Sequence, residues 1–208
     1  MKDTAMTTTT IEIKSRYGDV LFSFAADSMK SALEAAVKSG ADLRDANLRC
    51  ASLEGVNLEG SRLDGANLEG ASLINANLIN AKLRDASFEG ADLRDANLRD
   101  AYLEGANLGN ANLEGAYLRG VRLPTGETLT EYIEQVVPTL CTAGGKTLEE
   151  VAAAWDCHSW ENCPMAVAFG VHRIDDVPIR YRPRVEQFVQ LFDADQIPKP
   201  IAGHQEGG

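Results

Sequence analysis

A strict five-residue period over residues 41–125 constrains this chain more than any other feature. The stretch divides into seventeen units without an insertion, from Ala41-Asp42-Leu43-Arg44-Asp45 to Val121-Arg122-Leu123-Pro124-Thr125. The middle residue is leucine in sixteen units and Phe88 in one. The residue two before it is alanine in fourteen, the exceptions being Val56, Ser61 and Val121. The residue two after it is Gly, Asn or Asp in fifteen, the exceptions being Cys50 and Thr125. A fixed internal period overrides element-by-element reading, because each unit folds only by stacking on its neighbours.

Neither regular element accommodates this period. At 3.6 residues per turn a helix would sweep the leucines around its axis. The eight glycines at 55, 60, 65, 70, 90, 105, 115 and 120 would each cost about 1 kcal/mol in its interior. A flat sheet alternates with period two, and five is odd. A chain that bends at every unit does fit: a short extended piece points Leu inward, and a turn follows where Gly, Asn or Asp tolerates unusual dihedrals. Alanine, also inward, is small enough for the corners to close.

Tandem A(D/N)LXX units resemble the pentapeptide-repeat family, and the match covers 85 of the 208 residues. The resemblance implies a right-handed quadrilateral β-helix with four units per coil, so about four coils. Stacked at roughly 4.8 Å, these make a rod of about 20 Å. Leucines would form four internal ladders, each buried side chain worth about 1.5–3 kcal/mol. Leu48, Leu68, Phe88 and Leu108 are then expected in one interior column, with Phe88 an oversized core residue.

If residues twenty apart stack, the outer surface can be read by face. Arg44, Asp64, Arg84 and Glu104 alternate in sign, so neighbours attract across strands. Beside them runs the mostly basic column Asp42, Arg62, Lys82, Tyr102 and Arg122. Asn57, Asn77, Asn97 and Tyr117 form a polar column next to Glu59, Ile79, Arg99 and Arg119. A further face holds Glu54, Ile74, Arg94 and Glu114. Ile74 and Ile79 are aliphatic at outward positions. They are either isolated exposed residues or part of a contact patch with Tyr102, Tyr117, Arg99 and Arg119, types found at interfaces.

The flanks read differently. Residues 1–10 are polar and expected to fray. Residues 11–40 read as a β-hairpin, with Ile11, Ile13, Val20, Phe22 and Phe24 alternating about Tyr17-Gly18-Asp19. A helix follows, capped by Asp27 or Ser28 and carrying Met29, Ala32, Leu33, Ala36 and Val37 on one face. A bare coil end exposes unpaired backbone, so this segment is expected to cap the repeat. A comparable leader precedes the repeats in some bacterial and phage proteins of the family.

Residues 126–198 show helical signals. Thr128–Glu131 and Thr147–Glu150 are capping boxes. Leu129, Ile133, Val136, Val137 and Leu140 mark a first helix that Pro138 interrupts or bends. A second helix is expected from Val151 to Trp155 and a short one after Pro164. Residues 175–183 read as a loop, and Val185 to Phe192 as the last helix. Residues 199–208 read as a disordered tail. The resemblance implies that this helical region caps the rod, recognises a partner or forms a homodimer. Arg180, Tyr181, Arg182 and Arg184 form the one basic cluster, either a solvated loop or a recognition element.

Charge and chemistry narrow the function. The net charge is −11; the repeat contributes thirteen acids against nine bases, and residues 126–208 thirteen against six. Direct nucleic-acid binding through a basic patch is therefore disfavoured. No apolar run approaches the roughly 20 residues of a membrane span. There is no signal-like apolar core at the N-terminus, and four irregular cysteines fit a reducing cytoplasm. Cys157, His158 and Cys163 lack the paired spacing of a structural zinc site. They read as core residues near Trp155 and Trp160. No nucleophile-base pair or phosphate-binding loop emerges, so no catalytic, cofactor or metal site is assigned. The expected function is a non-catalytic protein-binding scaffold of bacterial or phage origin. The alternative is a DNA mimic acting on DNA gyrase, a topoisomerase or another DNA-binding protein, as some relatives do.

Overall fold

The computed structural model describes residues 9–151, 154, 163–171 and 173–193. These fall into two units, divided between Leu129 and Thr130.

The first unit is dominated by the repeat. Isolated parallel bridges link residues twenty apart, as in Asn47 to Asn67 to Ser87 to Asn107. One turn of the chain therefore takes four pentapeptides. From Leu43 to Leu103, each central Leu or Phe N–H donates to the carbonyl nineteen residues on, at 2.7–3.1 Å, as from Leu48 to Asn67 and from Phe88 to Asn107. Leu48, Leu68, Phe88 and Leu108 are all buried in one column.

Each corner is closed by a further bond from the alanine-position N–H back to the preceding Leu carbonyl, for example Ala46 to Leu43 at 3.1 Å. The residue between them has positive φ at all sixteen positions from Asp45 to Gly120. Gly, Asn and Asp tolerate that geometry. Cys50 adopts it too, at φ 54°, without the usual residue type.

The polar second position also has a structural cause. The N–H just after the central Leu takes no part in the backbone bonds between coils. An Asn or Asp two residues earlier accepts it instead, as in Glu69 N–H to Asn67 Oδ1 at 3.0 Å and Gly109 N–H to Asn107 Oδ1 at 2.9 Å. This is the Asx turn.

Before the repeat, β1 (Thr9–Lys14) pairs antiparallel with β2 (Val20–Ala26), with an irregularity between Ile13 and Lys14. Thr9 and Thr10, assigned by the sequence reading to a frayed terminus, are instead paired with Ala26 and Ala25. Ladder bonds need only backbone, and threonine suits a strand. Ile13 is buried, but Val20 and Phe24 are exposed. Helix α1 (Met29–Lys38) is capped by the Ser28 hydroxyl, which accepts the Ser31 N–H, and buries Ala32, Leu33 and Ala36.

This segment supplies partners that the first coil lacks. In later coils the second-position N–H bonds to the coil before, as Asn67 does to Ala46. Asn47 N–H instead donates to Lys14 O at 2.7 Å, and Asn57 N–H to Glu34 Oε1 at 3.0 Å. Lys30 Nζ donates to Glu54 O at 2.9 Å.

In the second unit, α2 (Leu129–Glu131, starting one residue before the division) runs into a π-helical turn, Tyr132–Val136, and then α3 (Val137–Ala143). Pro138 has no N–H and its ring crowds the carbonyl four residues back. The chain opens just before it into an i→i−5 bond, from Val137 N–H to Tyr132 O. The extra residue rotates the buried face. Of the expected stripe, Val137 and Leu140 are buried but Leu129, Ile133 and Val136 are only half-buried, and Tyr132 is fully buried beside them. Its hydroxyl donates to the Arg184 carbonyl.

Helix α4 spans Leu148–Val151, and of the helix expected from Val151 to Trp155, residues 152, 153 and 155 lie outside the described residues. Its capping box is formed: Thr147 N–H donates to Glu150 Oε2 at 2.6 Å, and Glu150 N–H to Thr147 Oγ1 at 3.2 Å. Helix α5 (Pro164–Phe169) begins at the expected proline and ends at Gly170 with φ 64°. The segment read as a loop contains a 3₁₀ turn, Ile174–Asp176, and the start of α6 (Arg182–Asp193). Proline suits the first turn of a helix, so Pro183 opens α6 and does not break it. Phe188 and Phe192, one turn apart, stack at 5.5 Å in the core. The expected tail over 199–208 lies outside the described residues.

Candidate functional site

The repeat presents four faces. Face 1 carries residues 42–44 and their successors at steps of twenty; faces 2, 3 and 4 begin at 47–49, 52–54 and 57–59. Every face contains at least one arginine, so none is a continuous acidic stripe.

Most of these arginines are neutralised locally. Arg84 contacts Glu104 at 3.3 Å and Asp64 at 4.0 Å, as the alternating ladder anticipates. Arg44 departs from that ladder: it forms a bidentate pair with Asp42 of its own unit, closing to 2.6 Å. Arg94 does the same with Asp92. Two outward side chains flanking one Leu lie close already, so an in-unit pair needs little adjustment. The arginine hydrogen bonds hold the Asp42 and Asp92 carboxyls below the usual range, against a smaller opposing effect of burial.

The structure distributes the six candidate contact residues unevenly. Ile79, Arg99, Tyr117 and Arg119 share face 4. Tyr117 is 63% exposed, Arg99 and Arg119 are exposed, and Ile79 is half-buried. Ile74 sits half-buried on face 3. Tyr102 belongs to face 1, where the Arg84 guanidinium lies 4.7 Å over its ring. Face 4 is also ordered along its length: Asn77 Nδ2 donates to Asn57 Oδ1 and Glu59 Oε2, both at 3.2 Å.

The C-terminal basic cluster does not form one surface. Arg180 is exposed and stacks on Tyr181 at 4.7 Å, and Tyr181 meets Phe169 at 5.7 Å. Arg182 donates to the Asp175 and Val177 carbonyls, fastening the 3₁₀ turn to α6. The Arg184 carbonyl receives Tyr132. Ile179, which the sequence reading passed over, is 80% exposed at the turn before α6. A single Ile in a loop gives no periodic signal.

Cys157 and His158 lie outside the described residues, as do Trp155 and Trp160. Cys163 and Cys141 are buried, and burial pushes the Cys141 thiol up to about 11. Among the described residues no His, Cys, Asp and Glu group is arranged to hold a metal ion. No described helix is long and apolar enough to cross a membrane.

Several solved structures are similar over the repeat. A pentapeptide repeat protein, Rfr23, from the cyanobacterium Cyanothece 51142 is 42% identical over 38% of this chain, with a TM-score of 0.38. This chain spans 54% of that protein's length. One from the Arabidopsis thaliana thylakoid lumen is 26% identical over 49% of this chain and 74% of its own, with a TM-score of 0.30. One from Nostoc PCC 7120 is 31% identical over 46% of this chain and 75% of its own, with a TM-score of 0.24. No curated protein matches the chain. Pentapeptide repeat proteins fold as right-handed quadrilateral β-helices and are generally non-enzymatic. The family model for pentapeptide repeats matches residues 32–65, 61–100 and 96–124 in eight copies, and through these repeats the chain belongs to the pentapeptide-repeat family.

Proposed function

We propose that this protein is a non-catalytic scaffold that presents a rigid β-helical surface to a protein partner. One observation carries the reading: the twenty-residue register holds outward side chains in fixed columns, bonded coil to coil at 2.7–3.1 Å. A surface ordered before binding loses little conformational entropy on docking. In this reading the repeat is a right-handed rod of about four coils, stacked at about 4.8 Å. The hairpin and α1 are its N-terminal cap, since Lys14, Lys30 and Glu34 bond to first-coil backbone. A reducing bacterial cytoplasm suits the exposed free Cys50. Face 4 is the foremost binding candidate, with Ile79, Arg99, Tyr117 and Arg119 on one surface. The gyrase-directed DNA mimic has no comparable observation in its favour, because arginines interrupt each face.

The test places a photo-crosslinking residue at exposed Lys82, Glu89, Glu114 or Tyr117, one per face, in the full chain. After irradiation in host lysate, one face is expected to capture a discrete protein. Equal capture from all four faces, or none from any, overturns the scaffold reading.

A further inference from the structure

Among the described residues, the arginines of the repeat are paired with carboxylates except at one end of face 4. Arg44, Arg49, Arg62, Arg84, Arg94 and Arg122 each reach a carboxylate within 2.6–4.0 Å. Among the described residues, Arg119 is the one arginine of the repeat with no ion pair. Arg99, stacked beneath it, has only Asp100 at 3.7 Å, between side chains that are 51% and 55% exposed. Beside them stand the exposed ring of Tyr117 and the half-buried Ile79. Glu59, the one acid in the outer column, lies two coils from Arg99, about 10 Å away, and accepts from Asn77.

The outer column thus reads apolar, cationic, cationic from Ile79 to Arg99 to Arg119, in steps of about 4.8 Å. An α-helix repeats its face every 5.4 Å or so, close enough to follow this column over two steps. Carboxylates one turn apart would meet the two guanidiniums, and an apolar side chain a turn further on would meet Ile79. Polyanionic nucleic acid is a poorer match, because it would bring many phosphates against a chain of net charge −11. For a short helix, screening over about 8 Å hides the distant acids and leaves the local pair effective.

We infer that the Ile79–Arg99–Arg119 column, flanked by Tyr117, docks an acidic amphipathic helix of a partner protein. The inference rests on the scaffold reading and assigns its face and partner class.

The probe is a fluorescein-labelled helical peptide of about 16 residues, with two glutamates one turn apart and a leucine a turn beyond. Binding to the full chain is followed by anisotropy at about 50 mM salt. Replacing Arg99 and Arg119 together by Gln is expected to weaken binding about tenfold, as is replacing the peptide glutamates by Gln. Lys82→Gln on face 1 makes a control that leaves binding unchanged, and Arg119→Lys retains part of it. Circular dichroism melting shows whether each variant is folded. The inference fails if the peptide does not bind, if the double variant binds equally well, or if a short DNA duplex binds in preference. Crosslinking to a partner from face 1, 2 or 3 alone also overturns it, while leaving the scaffold reading intact.

Discussion

In the repeat, one environment returns every twenty residues; in the helical unit, each buried side chain has its own. Leu53, Leu73 and Leu93 occupy successive levels of one column, all fully buried. Tyr132, Cys141 and Phe188 are as deeply buried, but each meets a different set of elements. The difference teaches that stability in the first unit is nearly a sum of repeated terms, whereas in the second it depends on how particular helices meet.

The largest effects test that sum directly. Leu53→Ala, Leu73→Ala and Leu93→Ala should each cost about 2–5 kcal/mol in denaturant unfolding of the first unit. The three values should agree within about 1 kcal/mol, against a spread of about 2 kcal/mol for Leu→Ala at unlike core sites. A wider spread, comparable to that between Leu140→Ala and Leu191→Ala in the second unit, would break the comparison.

Glycines sharpen it. A Cβ on Gly105 would sit 2.2 Å from Asp85 Oδ1, a side-chain atom twenty residues back. A Cβ on Gly144 would sit 2.4 Å from the Ala168 carbonyl oxygen, which is backbone. Both Gly→Ala changes should destabilise, by about 2–3 kcal/mol. Adding Asp85→Ala should relieve Gly105→Ala down to its left-handed φ cost of about 1–2 kcal/mol, as melting temperatures will show. No side-chain truncation should relieve Gly144→Ala, because the α3–α5 approach itself is blocked.

Departures from the repeat rule should be improvable by restoring it. Ser61 is buried with its hydroxyl unpartnered, so Ser61→Ala should stabilise by about 1 kcal/mol. Cys50→Gly should add a similar gain by relieving a positive φ. A loss in either case would mean that these residues serve something besides the fold.

The smallest effect is in pH. Asp42 and Asp92 are held below their ordinary value of 3.8, first by hydrogen bonds from Arg44 and Arg94. Their contribution is therefore present above that value and is lost as pH falls through the lower folded one. Glu150 is also depressed, but first by the Thr147 backbone N–H. Asp42→Asn with Asp92→Asn should flatten the acid limb of the first unit alone, and Glu150→Gln that of the second alone.

The five-residue pattern made inward Leu and Ala and corners at Gly, Asn and Asp legible in the first unit, while the stacking of residues twenty apart was what the family resemblance implied. Each of these follows from bonds within one unit or to its equivalent in the next coil, so local chemistry repeated in register is enough. Ion-pair choice was not legible. Arg44 prefers the Asp42 of its own unit to Asp64 of the next coil, and that choice depends on side-chain rotamers the pattern does not encode. Nor was the π turn before Pro138, which buries Tyr132 alongside Val137 and Leu140 and leaves Leu129, Ile133 and Val136 half-buried.

The sequence by itself determined the coil, because every fifth residue repeats the same short-range demand. Only the tertiary structure decided where Tyr132 finds Arg184, fifty-two residues away, and that Arg119, alone among the described arginines of the repeat, is left without a carboxylate. Those outcomes turn on which side chains meet across space, and no period along the chain specifies that.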